Sequence, residues 1–397
     1  MVISGIGGAS GRPRRLVLFT LGFRPFYLLA AGLAVAWIPL WIGIWHGHLA
    51  LPGSFAPPAW HAHEMLFGFT SAVLVGFLFT AIPNWTGRPT PTGIPLAGLA
   101  GIWLAGRASL LMDGLPWQAV AAIDVAFLPL AAAAMLPPLV ATGNRRNIAF
   151  PFALMALGAA NLLFHLDAAG MPVPAAEATR GVLGIMMVIL VVMGGRVIPF
   201  FTANRLPEVS IRRSGRLDRC VTAAVVATAI LSVAAPSTIV GGLAALAAAA
   251  LLLYRGLRWM PWATRKHPML WVLHAGHAWI AVALLLGAGS SLGLGLPAGA
   301  ADHAFTIGGV GVLTLGMMAR TARGHTGRPI EATRLMTAAF AIVNAAALVR
   351  VFGPMISMEW QAPAIGVSGV LWAVAFLLYL VEFAPILTST RVDGRPG

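Results

Sequence analysis

Residues 60–89 read WHAHEMLFGFTSAVLVGFLFTAIPNWTGRP. Two histidines and a glutamate open the stretch, an uncharged and mostly apolar run follows, and a Thr-Gly-Arg-Pro turn closes it. An apolar run of about 20 residues is the length at which a helix crosses a bilayer. Histidines and a carboxylate at the mouth of such a helix are costly unless something binds them. Outward from this segment, further apolar runs centre on 26–46, 92–111, 117–138, 148–168, 181–201, 219–236, 239–257, 268–288, 302–320, 332–352 and 363–385. Together with 61–82 they predict an all-α polytopic membrane protein of twelve transmembrane helices. Composition agrees: 59% of the 397 residues are hydrophobic and only 10% charged, more apolar material than a soluble core of this size hides.

The basic residues sort by loop. With the chain starting inside, the cytoplasmic connections hold Arg12, Arg14, Arg15 and Arg24, then Arg88, then Arg145 and Arg146, then six arginines from Arg196 to Arg219. Arg255, Arg258, Arg265, Lys266, Arg320, Arg323, Arg328, Arg334, Arg391 and Arg395 complete the set. These are 23 of the 26 basic residues, and only Arg107, Arg180 and Arg350 fall on the other side. Short cytoplasmic loops retain Lys and Arg, and adding or removing one helix scrambles the separation. The pattern predicts both termini inside and a single transmembrane domain over 1–397. Residues 1–25 form its short basic N-terminal segment and 386–397 its cytoplasmic tail. The net charge of +14 is thus an orientation signal facing anionic lipid headgroups, not a nucleic-acid surface. Run 26–46 is longer than a signal-peptide core and no cleavage site follows it, so it reads as a retained first helix. One cysteine, Cys220, excludes an intramolecular disulfide and a thiolate metal cluster.

The closing turn recurs. Thr86-Gly-Arg-Pro89 returns as Thr326-Gly-Arg-Pro329, and the same offset of 240 carries His63 onto His303, Gly68 onto Gly308 and Gly76 onto Gly316. Matched helices in matched orientation describe a parallel internal repeat about an axis along the membrane normal. Ile198-Pro199 before Asn204 loosely extends the pattern to helix 6, relating helices 2, 6 and 10.

The histidines supply the chemistry. His61 and His63 lie in the first turn of helix 2, about 200° apart on a regular helix, so the two do not easily serve one metal. Glu64 beside them is placed to accept a second imidazole N–H. His303 with Asp302 opens helix 10 on the same side, and His165 closes helix 5 there. The offset of 240 pairs His63 with His303 across the bundle. His274 and His277, three apart on helix 9, are deep enough to be expensive as spectators. An imidazole along a ring normal holds haem, and imidazoles also suit copper. The metal-binding candidates are therefore His61, His63, His165, His274, His277 and His303. Asp124 in helix 4 is a buried partner or proton relay, and Arg24 and Arg196 are candidate partners for propionates or carboxylates. For each arginine, snorkelling to the interface is the competing reading.

Several stretches together resemble the NnrS family: Leu21-Gly-Phe-Arg-Pro-Phe-Tyr27, Trp60-His-Ala-His-Glu-Met-Leu-Phe-Gly68, Ala81-Ile-Pro-Asn-Trp-Thr-Gly-Arg88, Gly194-Gly-Arg-Val-Ile-Pro-Phe-Phe-Thr202 through Asn204, His274 with His277, and Gly324-His-Thr-Gly-Arg-Pro329. The resemblance covers nearly the whole chain. It implies a bacterial protein of the cytoplasmic (inner) membrane with haem and copper as cofactors, linked to nitric oxide metabolism, denitrification and protection against nitrosative stress. It brings no agreed ligand set. The expected function is diatomic-ligand binding at metal centres. The alternatives are an oxidoreductase drawing on quinol or another electron donor, and a transporter of metal, haem or nitrogen oxides. No P-loop supports ATP use and no Cys-x-x-Cys-His supports covalent haem.

Overall fold

The computed structural model describes residues 17–395, so Arg12, Arg14 and Arg15 of the expected basic N-terminal segment lie outside the described residues. Every apolar run is helical, and among the described residues there is no strand. The helices are α1 (Phe23–Trp45), α2 (Pro57–Thr86), α3 (Ile94–Ser109), α4 (Trp117–Ala141), α5 (Ala149–Ala168) and α6 (Ala175–Arg205). They continue as α7 (Gly215–Ala234), α8 (Ile239–Leu257), α9 (Pro268–Ser291), α10 (Ala298–His325), α11 (Arg334–Phe352) and α12 (Gln361–Leu387). Eleven of these are long and apolar enough to cross a membrane. The exception is α3, whose 16 residues reach roughly 24 Å, short of a hydrocarbon core of about 30 Å.

Successive helices pack side by side, and α12 returns to lie against α1. α2, α9 and α10 are enclosed on most of their surface, whereas the others present a larger share outward. The approach of α9 to α10 depends on missing side chains: a Cβ at Gly308 would sit 2.4 Å from the Trp279 ring. Six of the ten histidines belong to these three interior helices.

The loops rich in arginine meet at one end of the bundle. Arg24, fully buried, donates from Nη1 to the carbonyls of Leu387 and Ser389, each at 2.8 Å, and so satisfies the end of α12. The Phe23 ring lies 5.7 Å from that of His325, Asn144 donates to the Trp85 carbonyl at 3.2 Å, and Arg205 pairs with Glu331 at 3.1 Å. Hydrogen bonds from charged donors contribute about 1.5–3 kcal/mol each. Arg24→Ala is accordingly expected to lower the thermal unfolding midpoint in detergent, by the equivalent of about 2–4 kcal/mol. An unchanged midpoint would show that the α1–α12 closure does not depend on this side chain.

Both α2 and α10 change geometry after their first turns. α2 is α-helical over Pro57–His63, a π-helix over Glu64–Thr70 and α-helical again from Ser71, and α10 has its π-helix over Ala304–Gly311. The two inserts begin 240 residues apart, at the same offset as the repeated turn. α6 has no such insert. In α2 the wide turn lets the Thr70 hydroxyl reach the Met65 carbonyl five residues back, at 2.8 Å, and Trp103 of α3 donates to the Gly68 carbonyl at 3.1 Å. Such inserts frequently mark functional sites. Both lie toward the end opposite the arginines, immediately after the histidines.

Candidate functional site

Because α2 is regular through His63, His61 and His63 point to opposite sides of the helix, as the two-residue spacing requires. His63 enters a fully buried polar cluster. Its Nδ1 lies 3.0 Å from Glu64 Oε1, and its Nε2 lies 2.7 Å from Asn161 Oδ1 and 3.0 Å from Asp124 Oδ2. Asp124 Oδ2 also takes His165 Nε2 and Asn161 Nδ2, each at 2.9 Å. Arg107 of α3 pairs with Glu64 Oε1 at 3.0 Å through Nη1 and with Asp124 Oδ1 through Nη2. Phe55, Phe67 and Phe164 wall the His63 ring at 5.1–6.0 Å. Two glycines make the space: a Cβ at Gly68 would come within 2.8 Å of Arg107 Nη1, and one at Gly106 within 2.8 Å of Asp124 Oδ1.

This cluster has one cation too few. Two carboxylates face a single guanidinium, both His63 nitrogens face acceptors, and Glu64 Oε2 is buried without a hydrogen-bond partner. A neutral imidazole donates only once. A proton on one of these groups, or an added cation, restores balance. Coordinating atoms of His63, Asp124 and His165 lie within 4.8 Å of one another, near enough to share one ion.

His61 faces the opposite side, into a cavity of about 340 Å³ that His303 also lines. The structure therefore brings His303 together with His61, while His63, its partner at the offset of 240, occupies the separate polar cluster. His61 stacks on Trp41 with ring centroids 4.5 Å apart and makes no side-chain hydrogen bond among the described residues. His303 Nδ1 lies 2.7 Å from the Gly299 carbonyl, four residues back. An Nδ1–H held in this way leaves Nε2 as a free lone pair, the tautomer a metal ligand needs. Phe69 and Trp372 line the cavity beside Trp41, and Arg350, Asp302, Thr179 and Ser368 give it polar points. Its size falls in the range of cofactor and ligand pockets.

His274 and His277 form a third group, toward the arginine-rich end. His274 Nε2 meets Thr202 Oγ1 of α6 at 3.1 Å. His277 makes no hydrogen bond of normal geometry at either ring nitrogen and leans on Trp259 at 4.8 Å, which in turn lies under the Arg255 guanidinium at 5.0 Å. Between α2, α6, α9 and α10 lies an apolar cavity of about 90 Å³, walled by Val73, Met186, Met193, Leu313 and Met317. The methionines here fill apolar space. Thr70, the last residue of the α2 π-helix, lines both this cavity and the His61–His303 cavity.

The remaining candidates take other roles. Arg24 holds the end of α12, and Arg196 donates to Asn147 Oδ1 at 2.7 Å near the start of α5. Neither lines the His61–His303 cavity or the apolar cavity beside it. Arg107 and Arg350, not singled out as candidates from the sequence, are the cation of the polar cluster and the cation of the His61–His303 cavity. Both were visible as exceptions to the segregation of charge. The third exception, Arg180, simply pairs with Glu177 one turn away at 2.8 Å.

Among known proteins, the sequence model described as NnrS protein matches residues 17–391. No curated protein matches the chain.

Proposed function

We propose, from the premise that this chain belongs to the NnrS family, that it is a haem- and copper-binding membrane protein that captures nitric oxide and limits its damage. The observation that carries this reading is the convergence of His61 and His303 on one aromatic-walled cavity from the two helices with π inserts. His61 and His303 would hold the haem, and Arg350 would meet a propionate. Haem bound there would supply an iron centre able to take a diatomic ligand. The two imidazoles are unequal: His303 is tied to Gly299, whereas His61 is held by stacking on Trp41. The apolar cavity beyond Thr70 would let a sparingly polar gas wait beside the site. It offers almost no polar partner to water.

Copper fits the second cluster. His63 and His165 would supply imidazole nitrogen and Asp124 a carboxylate oxygen, and two carboxylates facing one guanidinium favour an added cation. Glu64 orients His63 and Asn161 orients Asp124. In this reading the arginine-rich end is cytoplasmic, all twelve helices cross the inner membrane with α3 as a short span, and α2 and α10 are the cores of a parallel repeat.

The test is metal analysis with optical and paramagnetic-resonance spectra on purified protein, before and after nitric oxide. Haem with low-spin bis-imidazole character and about one copper per chain are expected, the haem signal changing on addition of the gas. Protein that takes up no haem, supplied during expression and again after purification, refutes the reading. His165→Ala should lower copper while leaving the Soret band unaltered. Full copper retention in both His165→Ala and Asp124→Asn would move the copper elsewhere.

A further inference from the structure

At the arginine-rich end, a cavity of about 580 Å³ opens between the end of α6, the start of α9 and the segment after α10. Arg205, Lys266 and Arg320 line it, with His267 beside them and Glu331 as its single carboxylate. Glu331 is already paired with Arg205 at 3.1 Å, so the lining carries a formal charge of +2 from its arginines, lysine and glutamate. Arg320 is the anomaly. Its neighbours at this end have acceptors: Arg323 donates to Glu382 and to the Pro329 carbonyl, and Arg391 donates to Asp393 and the His325 carbonyl. The Arg320 guanidinium instead lies over the Phe201 ring at 3.8 Å, and its Nε is buried without an acceptor. A face-on aromatic contact leaves the in-plane N–H donors unspent. α9 starts at the same wall with Pro268 in its first turn and no side-chain cap, adding the positive end of a 24-residue helix.

We infer that this cavity binds a phosphate-bearing anion through Arg320 and Lys266, with Arg205 as a third cation. Guanidinium forks match phosphate oxygens and an ammonium serves them as a point charge; a soluble phosphate dianion cancels the excess charge, and the phosphodiester of an acidic lipid cancels half of it. Carboxylate ligands fit less well, because they offer fewer acceptor oxygens to the three cations. The anion has two sources, the headgroup of an acidic lipid in the adjoining leaflet or a soluble phosphate. This site is independent of the histidine cavities and holds whether or not they carry metal.

Lys266 is the only lysine in the chain, which gives a specific readout. Full-length purified protein, stripped of bound lipid, is treated with an amine-reactive acylating reagent, and the rate at Lys266 is followed by peptide mapping. The probes are inorganic phosphate at matched chloride ionic strength, and nanodiscs with phosphatidylglycerol against phosphatidylcholine alone. Acylation should slow about tenfold at a phosphate concentration near nine times Kd, and the protection should vanish in Arg320→Gln. Protection by phosphate assigns a soluble ligand, and protection by phosphatidylglycerol alone assigns a lipid headgroup. Lys266→Gln, followed by melting temperature, should lose the stabilisation that the same probe gives the parent protein. No protection by either probe, or equal protection in Arg320→Gln, overturns the site.

Discussion

Haem bound to the purified protein is expected to lose its low-spin spectrum in His61→Ala and in His303→Ala, while His63→Ala keeps it. His61 and His303 line one cavity from different helices, so removing either would leave the macrocycle with one protein ligand. His303→Ala should have the larger effect. Its Nδ1 contact with the Gly299 carbonyl at 2.7 Å fixes the ring with Nε2 free, whereas His61 is held by Trp41 alone. Losing a partner behind a ligand already costs about 10–100-fold in metal affinity, and losing the ligand itself costs more. Haem retention after gel filtration should therefore drop by at least about tenfold in His303→Ala. His63→Ala is the discriminating control, because it removes the histidine that the internal repeat singled out. Loss of low-spin haem in His63→Ala with retention in His61→Ala would transfer the haem to the polar cluster.

The second large effect is on stability. Arg107→Ala leaves the Glu64 and Asp124 carboxylates facing each other's surroundings with no guanidinium between them, all deep in the bundle. Removing one partner of a buried ion pair typically costs about 3–5 kcal/mol, because the orphaned charge stays behind. A drop of that order in unfolding free energy is expected in detergent, with loss of copper if the metal depends on the cluster's shape. Arg107→Lys should not rescue it, since one ammonium cannot fork to both carboxylates. The coupling is diagnostic: in Arg107→Ala/Asp124→Asn the charge that lacked a partner is gone. The double variant should therefore be less destabilised than the sum of the singles, by about 0.5–3 kcal/mol. Strict additivity would mean that the two residues do not act as a unit.

These expectations show how far single-sequence reasoning reached. The apolar runs marked every helix, since hydropathy and length alone decide whether a segment can satisfy its backbone inside a bilayer. The α3 span was legible only approximately: its apolar composition predicted a crossing, while Gly93 and the turn after Ser109 hold its helix to 16 residues. His61 and His63 were correctly read as facing apart, because two residues on an α-helix always do. Their destinations were not legible. The 240-residue offset set His63 against His303, and α2 and α10 carry π inserts that begin at the same offset. Equivalent positions need not meet, and here His303 shares its cavity with the neighbour of its counterpart.

The sequence by itself determined the class of the protein, its helices, the segregation of its charge and the pool of metal-binding side chains. These depend on local hydropathy, helical periodicity and counting. Only the tertiary structure decided which members of that pool work together. It joined His61 to His303, set His63 among Arg107, Asp124 and His165, and tied Arg24 to the end of α12. The reason is that helix adjacency arises from packing between segments distant in the chain, through contacts such as Gly308 against Trp279 and Gly106 against Asp124. No spacing along one helix encodes its neighbour.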